Sequence, residues 1–222
     1  MRLAIYAFVF ILIQFFIAKT FAANEEEWVH FEGYQSQDNP MTASLPLWQN
    51  SISFWSRNIA SINECAAQKI KCNDLEILAI LSKLETINKE SGVEKIRLLN
   101  RYINLELGPT LNKPWQDAMT ILDEPTHTGV FTVLKYFILK RLGYTNENMR
   151  IVVVRDTLTG LKDSFLFVRI KNEVFVLSNN FNVVLERKKL VNLYMPIYAI
   201  DDLNQWVYKP KLYQNIGGNE DE

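Results

Sequence analysis

The chain contains few residues of the types that act as nucleophile or general base in hydrolytic sites. Its two histidines are His30 and His127, and its two cysteines are Cys65 and Cys72. His127 stands beside Thr128, but a threonine hydroxyl is a poor nucleophile without an adjacent base, and neighbouring side chains at a helix start point apart. Thr128 is therefore more simply interpreted as a helix N-cap. The residue inventory favours binding or structure over catalysis.

Thr128 stands at the start of an apolar segment that we expect to form the central helix of the domain. The helix is predicted from the spacing of its apolar residues, which recur as on one helical face at Val130, Val133, Leu134, Phe137, Ile138 and Leu142. The Asp-Glu-Pro-Thr run from Asp123 can start this helix, and Gly143 can end it. Lys135 falls outside the apolar set.

Helical periodicity precedes the central helix, and strand-like patterns follow it. The helices are predicted at 47–69, 74–88, 93–105 and 114–122, and the strands at 151–154, 164–170, 173–178 and 194–200. Lys171-Asn172 suits a hairpin turn between two of the strands. Asp201-Asp202 is interpreted as a solvated turn. Helices followed by antiparallel strands predict an α+β domain.

Composition and charge narrow the class of protein further. The 222 residues are 48% hydrophobic with a formal net charge of -1, so a packed core is expected and a nucleic-acid surface is not. Residues 1–22 are predicted to be a signal peptide, with Arg2 before an apolar run, and an uncleaved membrane anchor is the alternative. We assign 23–46 to an extended N-terminal arm, 47–213 to the domain and 214–222 to a flexible tail.

Several local matches resemble the LapG-type periplasmic proteases, which are bacterial transglutaminase-like cysteine proteinases. They extend from about Trp48 to Trp206, and the matching pieces are Arg101-Tyr102-Ile103-Asn104, Trp115, Lys135-Tyr136-Phe137 with Leu142-Gly143, Leu177 with Asn179, Pro196-Ile197-Tyr198 and Trp206. The resemblance implies a papain/transglutaminase-like α+β fold in which the central helix packs on an antiparallel sheet.

The resemblance also implies that the catalytic triad is absent. Aligned on Lys135-Tyr136-Phe137, the family's Cys, His and Asp fall on Thr128, Ser164 and Ser178. The acidic calcium-binding positions beside the Cys fall on His127, Gly129 and Val130, so neither a metal nor a cofactor is expected. Thr128, Phe165 and Asn179 are predicted to line a groove between the central helix and the sheet.

Three hypotheses about function remain open. The first is an exported, periplasmic pseudoprotease that binds a protein partner without cleaving it. The resemblance implies that the partner would be an adhesin segment, an inner-membrane cyclic di-GMP receptor, or the partner of an active paralogue, in biofilm control. The second is an active peptidase with relocated residues, such as His127 with Asp123 or Glu124. The third is a purely structural exported domain.

Export also bears on the two cysteines. In an oxidising compartment, Cys65 and Cys72 are expected to form a disulfide. On one unbroken helix they would lie about 10 Å apart along the axis, beyond the reach of a disulfide, so the first helix is expected to end near residues 68 to 71. Two buried free thiols are the alternative.

Overall fold

The computed structural model describes residues 29–39, 45–67, 75–121, 128–190 and 192–211. The helices are α1 (Pro46–Ala67), α2 (Leu75–Asn88), α3 (Gly92–Tyr102), α4 (Gly108–Thr110), α5 (Lys113–Ala118) and α6 (Thr128–Arg141). A π-helical turn, Ile103–Leu107, joins α3 to α4, and a 3-10 turn covers Arg187–Lys189. No helix within these ranges is long and apolar enough to cross a membrane.

Seven strands form one antiparallel sheet in the order β1-β7-β6-β2-β3-β4-β5. The strands are β1 (Tyr34–Asn39), β2 (Met149–Asp156), β3 (Lys162–Ile170), β4 (Glu173–Leu177), β5 (Val184–Glu186), β6 (Tyr194–Ile200) and β7 (Gln205–Pro210). Because side chains alternate along a strand, the sheet has two buried faces. The predicted α+β class, with helices and a central helix packed on an antiparallel sheet, is confirmed.

The helices cover the first face of the sheet. Ile151, Val153 and Leu166 pack there in one cluster with apolar residues of α6. Trp48 of α1 stacks on Phe137 with ring centroids 5.5 Å apart and is only 1% exposed. Trp48 of α1 is therefore part of the core.

The second face is covered in part by the chain that precedes β1. Val29 and Phe31 are 2% exposed and pack with Val152, Phe165 and other residues of that face. β1 itself pairs with β7. The segment predicted to be an extended arm thus contributes an edge strand and two core side chains.

Two local features hold the central helix in place. Gly108 approaches α6 so closely that a Cβ there would lie 2.6 Å from the Phe131 ring and 2.6 Å from the carbonyl oxygen of Ile103. At the other end of α6, Asp202 accepts hydrogen bonds from Tyr136 Oη at 2.9 Å and Lys140 Nζ at 2.5 Å. The Asp201-Asp202 turn, interpreted from sequence as solvated, therefore anchors the sheet to α6.

Candidate functional site

The candidate site lies where the first half of α6 crosses the start of β3 and the end of β4. Ser164 is paired with Val153, a residue of the helix-covered face, so its side chain points at α6. Thr132 and Lys135 lie three residues apart on the helix and meet that side chain and the turn after β4. All three side chains are fully buried.

The Thr132 hydroxyl has all its hydrogen-bonding capacity filled. It donates to the Ser164 carbonyl oxygen at 3.0 Å and accepts from Ser164 Oγ at 3.0 Å and from Asn179 Nδ2 at 2.8 Å. A hydroxyl has one donor and two acceptor lone pairs, so no capacity remains. The Ser164 hydroxyl is thus held by a buried threonine that has no free hydrogen-bonding capacity.

Lys135 binds the turn that follows β4. Its Nζ donates to the Ser178 carbonyl oxygen and to Asn179 Oδ1, both at 2.9 Å. Since the amide oxygen of Asn179 accepts from this amine, its Nδ2 faces Thr132. Burial lowers the pKa of Lys135 well below its ordinary value, and the charge of Asp163 opposes that shift.

The remaining polar groups of the cluster come from β3, the turn after β4, and the π-helical turn. Asp163 accepts from the backbone N–H of Ser164 at 2.7 Å and from Asn180 Nδ2 at 3.2 Å. Ser178 Oγ accepts from the backbone N–H of Asn180 at 3.1 Å, and Asn104 Nδ2 donates to the Ser178 carbonyl oxygen at 3.0 Å. We call these residues the buried polar cluster: Asn104, Thr132, Lys135, Asp163, Ser164, Ser178, Asn179 and Asn180.

The structure brings together some of the residues predicted for the site. Ser164 and Ser178, which the resemblance predicted at the His and Asp positions, are linked through Thr132, Asn179 and Lys135. Thr128 is the first residue of α6, and its side chain lies outside the described part of the chain.

Phe165 requires a correction. It belongs to the cluster on the second face of the sheet and packs against Tyr194 with ring centroids 4.9 Å apart. As the residue after Ser164 on a strand, it points away from α6. The predicted groove between helix and sheet therefore does not include Phe165.

Five residues of the cluster were not predicted as site residues, and the two on α6 are the most central of them. Lys135 was set apart from the apolar face of the helix, and Thr132 was not singled out. Almost every residue of α6 from Gly129 to Leu139 is buried, so a polar side chain on any face of this helix must find a partner inside the protein. The apolar residues on nearly every side of this helix were the sequence signal that Thr132 and Lys135 would be buried.

An exposed apolar patch lies at the end of the sheet where Ser164 is located, near the start of β3. Thr157, in the β2–β3 turn, donates from its backbone N–H and its hydroxyl to the Leu193 carbonyl oxygen, both at 3.0 Å. These contacts join two loops that carry large exposed side chains, from 38% to 87% exposed. We call them the leucine patch: Leu158, Leu161, Leu193 and Met195.

The predictions about metal and disulfide rest largely on residues outside the described ranges. Within those ranges, no three His, Cys, Asp or Glu side chains are grouped so that they could hold a metal ion. Gly129 and Val130 are buried at the start of α6, and His127 is not among the described residues. Cys65 lies on α1 and is 9% exposed. Cys72, like His127, is outside the described part of the chain, so the pairing of the two cysteines stays a prediction.

The architecture defines an α+β protein with a buried helix on an antiparallel sheet. Solved structures of LapG from Legionella pneumophila, among them calcium-bound and EGTA-treated forms, are similar to it with a TM-score of 0.49 and 16% sequence identity. The calcium-bound match covers 67% of this chain and 87% of the LapG chain, and the EGTA-treated match covers 67% and 84%. No family model and no curated protein matches the chain. The function of this chain therefore has to be inferred from its own residues.

Proposed function

We propose that this chain is a non-catalytic, LapG-like pseudoprotease domain that binds a protein partner. The observation that carries the proposal is the closed hydrogen bonding of Thr132 and Ser164 at the position expected for the base. A hydrolytic site needs a nucleophile with an accessible base within hydrogen-bond reach. Ser164 Oγ instead donates to the Thr132 hydroxyl, and this bond, together with those to the Ser164 carbonyl oxygen and Asn179 Nδ2, fills the capacity of that hydroxyl.

The buried lysine does not replace the missing base. A Ser–Lys pair would need Lys135 Nζ beside a serine hydroxyl, but the described contacts of Nζ are the carbonyl oxygen of Ser178 and the amide oxygen of Asn179. Full burial also separates this amine from solvent and from any substrate. A peptidase with relocated residues would have to draw on Asp123, Glu124 and His127, which lie outside the described ranges.

The leucine patch supports the binding part of the proposal. Exposed apolar side chains that cluster, rather than scatter singly, mark interaction surfaces. Leu158 is 87% exposed at the tip of the β2–β3 turn, and β3 runs from this turn directly into Ser164. A protein that covers the patch would remove four large apolar side chains from water at the end of the sheet where the family performs its chemistry. By the resemblance, an adhesin segment and a cyclic di-GMP receptor of the inner membrane are the candidate partners.

The experiment compares capture of partners by the mature chain and by two matched variants. Leu158→Asp/Leu193→Asp places charge in the patch, and Leu203→Asp places charge on the β6–β7 turn at a leucine that is 70% exposed. We expect quantitative mass spectrometry of periplasmic and membrane extracts to find a protein retained by the wild type and by Leu203→Asp and lost with the patch variant. An identical set of captured proteins for all three would contradict binding through the patch.

A further inference from the structure

The sheet has two edge strands, β1 and β5, and they differ in how well they are protected from pairing with another chain. β5 has only three residues and leads directly into the 3-10 turn Arg187–Lys189, which is entirely basic. Short strands and lysines are features that keep a sheet edge from pairing. β1 has six residues, pairs with β7 without a shift in register, and contains neither lysine nor proline. Within the described ranges no strand covers its outer side, so β1 is the edge that can accept a further strand.

The pairing with β7 determines which backbone groups of β1 point outward. The Lys211 N–H donates to the Gly33 carbonyl oxygen at 2.8 Å, and these two residues continue the β1–β7 register by one position. Hydrogen-bonded pairs alternate with non-hydrogen-bonded pairs along an antiparallel ladder, so every second residue from Gly33 onward directs its backbone groups at β7. The residues between them present their backbone groups to the open edge: Tyr34, Ser36 and Asp38. Of these groups, the Tyr34 N–H already donates to the Phe31 carbonyl oxygen at 3.1 Å.

Two copies of this edge complement each other in an antiparallel arrangement. Hydrogen bonds across the edge require that residues with outward backbone groups face one another, and a two-fold axis at Ser36 meets this requirement. Ser36 then lies opposite Ser36 of the second copy, and Tyr34 of each copy lies opposite Asp38 of the other. About four backbone hydrogen bonds form in this register, because the Tyr34 N–H is already used within its own chain.

The side chains of β1 are compatible with the same register. Asp38 is the one charged residue of β1, and the two Asp38 carboxylates would lie about 13 Å apart along the strands. That separation exceeds the screening length of about 8 Å at physiological salt, so like charges do not oppose the contact. Gln35 of each copy lies opposite Gln37 of the other, and both side chains are exposed. An amide group both donates and accepts hydrogen bonds, so two glutamines can bond to each other.

We propose that β1 pairs antiparallel with β1 of a second copy of this chain, about a two-fold axis at Ser36, and so joins two seven-stranded sheets into one. A second copy is the partner that this edge fits, because the edge complements itself in its backbone groups, its amide side chains and its charge. The contact involves about five residue pairs and is smaller than a standard interface of about 800 Å² per partner, so the dimer should be weak and reversible.

Analytical ultracentrifugation of the mature chain, residues 23–222, at concentrations up to about 1 mM tests this contact. Ser36→Pro removes an N–H group from the open edge and leaves the groups that pair with β7 in place. Ser36→Lys keeps that N–H but sets two like charges opposite each other at the axis, and Ser36→Asp does the same with the opposite sign. The control is Ser82→Lys, which makes the same substitution at an exposed serine of α2.

We expect wild type and Ser82→Lys to pass from monomer to dimer as concentration rises, and Ser36→Pro and Ser36→Lys to associate at least about fivefold more weakly. An equimolar mixture of Ser36→Lys and Ser36→Asp should regain association, because opposite charges then meet at the axis, and this recovery also shows that both variants are folded. Wild type that stays monomeric at about 1 mM would overturn the proposal. So would a dimer that neither Ser36→Pro nor Ser36→Lys weakens, or a mixture that regains no association.

Discussion

Removing the Thr132 hydroxyl is expected to destabilise the fold strongly for so small a change. Thr132→Val keeps the shape of the side chain but leaves Ser164 Oγ, a fully buried donor, without its acceptor at 3.0 Å. An orphaned buried donor costs about 1–3 kcal/mol, and the loss of an ordinary hydrogen bond adds about 1 kcal/mol. Asn179 Nδ2 retains the Ser164 carbonyl oxygen at 3.3 Å. The free energy of unfolding should therefore fall by about 2–4 kcal/mol.

A double-mutant cycle isolates this interaction. Ser164→Ala removes the donor instead of the acceptor and should cost about 0.5–1.5 kcal/mol. The double variant leaves no orphaned hydroxyl, so its loss should be smaller than the sum of the single losses by at least about 1 kcal/mol. Urea unfolding monitored by tryptophan fluorescence measures all three free energies.

The control for this cycle is Thr132→Ser, which keeps the hydroxyl and loses one methyl group at a cost of about 1 kcal/mol. The reasoning would be refuted if Thr132→Val were no less stable than Thr132→Ser, or if the cycle were additive. Either result would mean that Ser164 finds another acceptor or reaches water, and that the site is not closed.

Three further predictions concern charge, covalent linkage and metal. Burial disfavours ionised Asp202, but hydrogen bonds from Lys140 and Tyr136 outweigh this effect and hold the pKa of Asp202 below its usual value. The stabilisation by ionised Asp202 should therefore be present above about pH 4 and be lost as the pH falls through the lowered pKa. Asp202→Asn should flatten the acid side of the pH profile of the unfolding free energy, measured by urea unfolding. Cys65 and Cys72 should give no thiol label in denatured, non-reduced mature protein, and their reduction should cost about 2–3 kcal/mol of stability, whereas two labelled thiols would contradict the pairing. Calorimetric titration with calcium should show no binding at the start of α6, and tight binding would indicate that acidic residues before Thr128 supply the ligands.

Local periodicity predicted most of the elements, because helices and hairpin strands are determined by residues close in sequence. The central helix and strands β2, β3, β4 and β6 follow this rule. β1 and β7 were missed because their pairing joins Tyr34 to Pro210, and a polar edge strand has no alternating pattern to reveal it.

The site was less predictable than the fold. The positions of Ser164 and Ser178 came from the resemblance, and the structure links them through Thr132, Lys135 and Asn179, of which only Asn179 was predicted to line the site. Lys135 was missed because the apolar face of the helix was taken as its buried side, whereas α6 is buried almost all round. Phe165 was misplaced although alternation along β3 puts neighbours on opposite faces.

Peptide hydrolysis by the mature protein tests the central claim most directly. The assay would follow release of new amines from casein and from a peptide library by wild type, Thr128→Ala and Ser164→Ala, with an active thiol protease as positive control. We predict that all three proteins give the rate of the buffer blank. Hydrolysis by the wild type that Thr128→Ala abolishes would contradict the account, because a nucleophile would then be at work at the start of α6.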